Sequence, residues 1–391
     1  MSRYHSYLNS AATILLAYKG EEPFAGFIKK YFSQHKKFGS KDRKQVSHLC
    51  YCYFRLGKAL INAPLEERIL NALFFCSQQP NDILAELKPV WNEKTGTNFS
   101  EKQQEIAYSF SVEDIFPWQN ELSEAIDGKV FTLSHLQQPD LFLRVRPGNE
   151  KKVKAKLIKN GIAFEKIAEQ CIALSNSTRI DELIELDQEA VIQDYSSQRV
   201  GELLKMVRKE HPGDGSIRLW DCCAASGGKS IMAKDILGDI ELMVSDIRES
   251  ILLNLGNRFE QAGIDDYESF VVDLSKPLTV SLSTFNLVIA DVPCSGSGTW
   301  GRTPEQLYYF EEEKIKSYAT LQQKIVTNAL PQLEPGGYFL YITCSVFKKE
   351  NEAAVDFIKE KFGLQLLKME LLRGYDKKAD TLFAALFKKP L

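Results

Sequence analysis

The sequence predicts an α/β protein in which a doubly wound parallel sheet follows a helical region. Three observations carry that expectation. From Ala190 onward, short apolar runs alternate with helical segments; four of those runs end in aspartate; and up to about residue 137 apolar residues recur at spacings of three and four, with few Gly or Pro.

In chain order, residues 1–137 read as a helical domain, as in VSHLCYCYFRLGKAL. Around Pro139 the texture changes. LFLRVRP alternates, KKVKAKLIKNG is amphipathic, and FEKIAEQCIALS returns to a strand pattern, a small α/β subdomain over 138–189. Residues 190–391 form the sheet domain. Its strand candidates are Ile217–Asp221, Glu241–Asp246, Phe270–Asp273, Leu287–Asp291 and Tyr338–Thr343, with LFAALF as a final edge strand. On such sheets ligands bind beyond the carboxyl ends of the strands. Asp221, Asp246, Asp273 and Asp291 fall there.

At 391 residues the chain should hold two or three domains, and its 44% hydrophobic and 26% charged content is that of an ordinary globular protein. The apolar patch in MSRYHSYLNSAATILLAYKGEE is too short and interrupted for a secretory or spanning segment, so a cytoplasmic location with no membrane role is expected, as a monomer. Eight cysteines in so long a chain, without CxxC pairs, argue against a disulfide framework and a zinc site; no metal is expected. The net charge of −3 argues mildly against nucleic acid. Two basic runs offset it: Lys29, Lys30, Lys36, Lys37, Lys41, Arg43 and Lys44, then Arg144, Arg146, Lys151, Lys152, Lys154, Lys156 and Lys159. Such runs are often only solvated helix faces. Lying outside the sheet domain, they favour a substrate-gripping role.

The segment LWDCCAASGGKS runs from a strand through a small-residue turn into a helix. Cys223, Ala224, Ala225, Ser226, Gly227, Gly228 and Lys229 would let a ligand approach the backbone closely. The turn matches neither the dinucleotide nor the phosphate-loop pattern. Asp246 is placed to take two ribose hydroxyls, Asp273 an adenine amine, although an Asp at a strand end also caps the next helix. Three such acids beside a small-residue turn point to a nucleoside-type cofactor.

Two cysteines, Cys294 in DVPCSGSG and Cys344 in YITCS, close strands that would meet above the same sheet. The histidines are His5, His35, His48, His135 and His211, none after residue 217, so a Cys–His hydrolytic pair is disfavoured. Methylation at carbon 5 of a pyrimidine needs other parts. A thiolate adds at carbon 6, an acid near ring nitrogen 3 stabilises the adduct, and a base later removes the carbon 5 proton. Cys344, Asp291 and Cys294 match that set. A lone strand-end cysteine is more often a small buried hydrophobe; two in Ser/Gly-rich turns are not.

These residues resemble the Sun/Fmu ribosomal-RNA cytosine-C5 methyltransferases. Family patterns D-x-C-A-A-P-G-G-K-[TS], D-A-P-C-S-G-x-G and Y-x-T-C-S correspond to DCCAASGGKS, DVPCSGSG and YITCS, with ENE at Glu350, QDYSSQ at Gln193, LQQKI at Leu321 and LEPGG at Leu333. The likeness spans essentially all of residues 190–391. It implies a Rossmann-like fold, S-adenosylmethionine as methyl donor, Cys344 as nucleophile and Cys294 as the residue assisting proton removal and release. Cofactor contacts would fall on Cys223 to Lys229, Asp246, Asp273 and Asp291. FGSKDRKQVSHLCYCYFR looks like the family's NusB-like helical domain, and FPW at Phe116 like its P-x-W linker. Three positions depart: Ser226 stands for the loop proline, Ile251 for an arginine, and Arg146 for an asparagine.

The expected activity is methylation of an RNA cytosine, ribosomal RNA at the family level, on a base swung out of its stack. Other readings are tRNA as substrate, a methyltransferase acting on an exocyclic amine, DNA as substrate, and a non-catalytic RNA-binding assembly factor.

Overall fold

The structure, a computed structural model, describes residues 2–210, 216–279 and 282–391; His211 lies outside them. The chain divides into two compact units. One comprises Met1–Asn120, Asp127–Gln138 and Thr299–Glu311, the other Glu121–Ile126, Pro139–Gly298 and Glu312–Leu391. Among the described residues no helix is long and apolar enough to cross a membrane.

The first unit is helical, with its longest helices at Arg3–Ala17, Phe24–Gln34, Ser40–Arg55 and Leu65–Cys76. Phe116 and Trp118 are buried in an aromatic cluster with Trp300 and Phe310, in edge-to-face and tilted contacts. The buried Arg55 guanidinium donates to the carbonyls of His135, Gln137 and Gly301 and to Gln138 Oε1, at 2.6–2.9 Å.

The second unit holds two sheets. The smaller is antiparallel, with strands β1 (Leu141–Val145), β2 (Phe164–Lys166), β3 (Cys171–Leu174) and β4 (Ala190–Ile192) in the order β2-β3-β1-β4. FEKIAEQCIALS is thus a hairpin of two strands. The larger sheet contains β5 (Ile217–Asp221), β6 (Ile240–Asp246), β7 (Glu268–Val271), β8 (Phe285–Asp291), β9 (Leu333–Thr343), β10 (Gln365–Leu372) and β11 (Leu382–Lys388), in the order β10-β11-β9-β8-β5-β6-β7. Strands β9, β8, β5, β6 and β7 run parallel.

Three expectations change. The sheet is mostly rather than wholly parallel, because β11 pairs antiparallel with β9 and β10. LFAALF is not an edge: Leu382–Phe387 are all buried, as an unbroken apolar run covered on both faces should be, and β10 takes the edge. Strand β7 ends at Val271, so Asp273 lies two residues beyond it, where its carboxylate binds its own turn.

Strand alternation feeds both faces of the sheet. Leu219, Val244, Ile289 and Ile342 pack with Ile231 and Phe259 on one face. Trp220, Val288, Ala290 and Tyr341 pack with Ile325 and Ile358 on the other. The carboxyl ends of the strands remain open for a site.

Candidate active site

Parallel pairing of β8 with β9 sets Asp291 beside Ile342, so the turns carrying Cys294 and Cys344 leave the sheet together. The two sulfurs lie 3.2 Å apart, both as free thiols. Gly298 N–H donates to Cys344 O and Thr381 N–H donates to Gly298 O, each at 2.9 Å. A Cβ on Gly298 would fall 1.9 Å from Thr381 O, so only glycine passes between these strands.

Glu350, fully buried, joins the two cysteine turns. It accepts from Ser295 N–H at 2.9 Å, Ser345 Oγ at 2.6 Å and Gln322 Nε2 at 2.8 Å. Burial nonetheless holds its carboxyl above the ordinary glutamate value. Asn351 braces the Cys344 turn alone, accepting from Thr343 Oγ1 and donating to Ser345 O. Sequence reasoning noted the ENE run but assigned it no task; its place six residues after Cys344 was the available signal. The Cys294 thiol is pushed well above the ordinary cysteine range, first by its hydrogen bond with Cys344 and then by burial.

Asp291 accepts from Lys229 Nζ at 3.0 Å, and Lys229 also donates to Ser197 Oγ at 2.9 Å. From Ser197 the contacts continue through Gln193 Nε2 at 3.2 Å to Arg144 Nε at 2.7 Å and on to Asp235 at 2.6 Å. The small sheet is thereby wired to the carboxylate beside the cysteines.

A cavity of about 520 Å³ lies over these strand ends. Its wall includes Cys223, Ala225, Asp246, Asp273, Asp291, Cys294 and Cys344. Ala224, Ser226, Gly227, Gly228 and Lys229 do not line it. Gly227 instead supplies a left-handed turn, φ 82°, where a Cβ would meet Phe259 Cε1 at 2.5 Å. Residues not anticipated add an apolar wall of Val272, Leu274, Leu321 and Ile325, and a cation, Arg248.

Asp246 accepts from the backbone N–H of Ala225 at 3.1 Å and of Arg248 at 3.0 Å. Its remaining partner is the mostly exposed Arg248 guanidinium. Ile251 is half-buried and absent from the cavity wall. Asp273 accepts from Ser275 and from the exposed Lys276, which hold its carboxyl below the ordinary value. It both caps its turn and faces the cavity. Carboxylates ringing an apolar slot are the acceptor set a nucleoside with an amino-acid tail requires, and the volume suits a molecule of that size.

The basic runs fare differently. Lys29, Lys30, Lys36, Lys37, Lys41, Arg43 and Lys44 are all exposed. In the second run Arg144 and Arg146 are not surface cations, because both point from one face of the strand to Asp235. Lys152 and Lys156 pair with Glu189, leaving Lys151, Lys154 and Lys159 exposed without an ion pair to it. Among the described residues, no three His, Cys, Asp or Glu side chains gather as a metal site would need.

The mostly parallel seven-stranded sheet, with its cavity over the strand ends, defines the class: a Rossmann-like, S-adenosylmethionine-dependent methyltransferase. Residues 176–382, just over half of the chain, match the family described as 16S rRNA methyltransferase RsmB/F, and the chain belongs to that family. It is similar to a probable ribosomal RNA small subunit methyltransferase B of Synechocystis, at 25% identity over 76% of this chain and 67% of that protein. A ribosomal RNA small subunit methyltransferase F of Aeromonas salmonicida is 29% identical over 37% of this chain and 31% of that protein. Most of the curated relatives are matched over only about a third of their own length, 31–37%. In fold the chain resembles NSun6 from Pyrococcus horikoshii, solved with the S-adenosylmethionine analogue SFG, at a TM-score of 0.58 and 13% identity, over 70% of this chain and 97% of that one.

Proposed function

We propose that this protein methylates carbon 5 of a cytosine in ribosomal RNA, in the cytoplasm, through a covalent adduct between Cys344 and carbon 6. The observation that carries this reading is the 3.2 Å approach of Cys294 and Cys344 in a cavity that also holds Asp291. An exocyclic-amine methyltransferase needs no paired thiols, and an assembly factor needs no such cavity.

When bound, S-adenosylmethionine supplies an electrophilic methyl group. Asp246 would exchange its exposed Arg248 partner for ribose hydroxyls, Asp273 would accept from the adenine amine, and Val272, Leu274 and Ile325 would cover the ring. The exposed Lys29–Lys44 run supplies phosphate contacts for RNA.

The two sulfurs share one hydrogen-bond contact, and when Cys344 is the attacking sulfur, Cys294 can be its donor, staying protonated beside it. The Cys344 sulfur bonds to carbon 6, and the ring electron pair moves toward carbon 5. Asp291, oriented by Lys229, takes a proton from solvent, shares it with ring nitrogen 3 as charge develops in the adduct, and recovers it on elimination. Once Cys344 is a thioether it no longer shares a proton with Cys294, which is then free to act as the base. With the methyl group bonded to carbon 5 and its own thiol proton released to solvent, Cys294 takes the carbon 5 proton as a thiolate, and the sulfur–carbon 6 bond breaks to return the Cys344 thiolate.

The test is tritium transfer from labelled S-adenosylmethionine to ribosomal RNA, followed by bisulfite mapping. Methyl groups on C5-cytosines, lost in Cys344→Ala, support the reading. A Cys344→Ala enzyme with a substantial rate would sink it.

A further inference from the structure

The turn over the cavity contains a strained residue and lacks the proline of the family pattern. Ala225, on the cavity wall, adopts φ 46°, unfavourable for a residue with a Cβ. Its N-terminal side is anchored by Ala224 N–H to Ser245 O at 2.9 Å and Ala225 N–H to Asp246 Oδ2 at 3.1 Å. Ser226 comes next, at the point where a proline would stiffen the chain.

Arg258, on the helix Glu249–Ala262, grips Ser226 twice. Its Nη1 donates to Ser226 O at 2.8 Å and to Ser226 Oγ at 3.0 Å. The remaining donors make a bidentate pair with Asp187, Nε to Oδ2 at 2.8 Å and Nη2 to Oδ1 at 2.6 Å. Asp187 is buried and fixed in turn: its carbonyl accepts from Arg146 Nη1 at 2.8 Å, and its N–H donates to Ala190 O at 2.8 Å. Arg146 also reaches Ala262 O, at the end of the helix that bears Arg258. Neither Arg258 nor Asp187 lines the cavity.

We propose that Arg258, held by Asp187, is a positioning residue for cofactor binding that replaces the stiffness of the missing loop proline by gripping Ser226. The grip holds Ala225 in its left-handed conformation and so keeps the cavity wall in shape without touching the ligand. Arg146, which stands where the family pattern has asparagine, belongs to the same device. A proline at 226 would cost no backbone donor, since Ser226 N–H makes no hydrogen bond among the described residues.

This inference rests on the cavity being the S-adenosylmethionine site, and the experiment separates the two. Binding of S-adenosylhomocysteine is measured by calorimetry for the full chain and for Arg258→Ala, Ser226→Pro and the double variant. Amide exchange over residues 224–228 is followed in the ligand-free proteins. Arg258→Ala should weaken binding about tenfold and speed exchange, losing two charge-assisted bonds. Ser226→Pro alone should change little, and added to Arg258→Ala it should restore most of both losses. A merely structural Arg258 would not be rescued by proline. If Arg258→Ala does not fold, Asp187→Asn and Ser226→Ala, each weakening one side of the grip, should show smaller shifts in the same direction. Unchanged affinity and exchange in the single variants, or a loss that proline fails to restore, overturns the proposal. Failure of the unmodified protein to bind S-adenosylhomocysteine overturns the functional reading and this inference with it, whereas binding without the Arg258 effect overturns this inference alone.

Discussion

Cys294 Sγ and Cys344 Sγ sit 3.2 Å apart although fifty residues separate them in the chain. The proposed reaction gives the two thiols different tasks, attack at carbon 6 for Cys344 and proton removal for Cys294. Cys294→Ala should therefore leave adduct formation possible and stall the release of RNA. The expected outcome is a protein–RNA species of reduced mobility on a denaturing gel, absent in Cys344→Ala. Accumulation in Cys344→Ala instead would reverse the assignment.

Glu350 should matter for activity well beyond its distance from substrate. Its three donors, Ser295 N–H, Ser345 Oγ and Gln322 Nε2, all require an acceptor. Glu350→Gln turns an amide NH2 toward one of them and frees the cysteine turns. Methyl transfer at saturating cofactor should fall by about tenfold or more, with cofactor affinity little changed. A drop confined to cofactor binding would refute this.

Lys229 touches Asp291 without lining the cavity. In Lys229→Met the carboxylate loses its cationic neighbour, and single-turnover transfer should slow by about a hundredfold. Comparable rates in the variant and the parent would remove Lys229 and Asp291 from the chemistry.

Asp221 is buried at the end of β5, where it accepts from Ser230 Oγ at 2.6 Å. Burial raises its carboxyl from the ordinary 3.8 to about 7. A raised value means that the folded state binds the proton more tightly than the unfolded chain. The resulting stabilisation is complete below about pH 4 and is lost as pH rises through about 7. Asp221→Asn keeps an acceptor for Ser230 and removes the titration. The melting temperature of the variant should vary less across that window than the parent's, and an unchanged slope would contradict the argument.

In the helical unit, Arg55→Met leaves three carbonyls and the Gln138 amide oxygen without their donor. The unit should lose about 3 kcal/mol or more, read by denaturant unfolding. A loss under about 0.5 kcal/mol, the range of surface substitutions, would mean that water replaces the guanidinium.

Much of this was legible from local pattern. The alternation of apolar runs with helices located five strands of the larger sheet, and aspartates at strand ends with a small-residue turn marked the face that carries the cavity. The two cysteine motifs marked residues that the fold brings together at that cavity. These signals are local because strand burial, turn geometry and thiol reactivity depend on neighbouring residue types. Other features were decided only by tertiary structure. LFAALF is interior because β10 covers it, a pairing that periodicity cannot reveal. Arg144 and Arg146 read as surface cations until Asp235, about ninety positions away, neutralised them. Glu350 binding both cysteine turns, and Arg258 gripping Ser226, depend on which helix packs over which loop. Long-range partners are chosen by packing and charge burial across the folded chain, and no spacing within a segment encodes them.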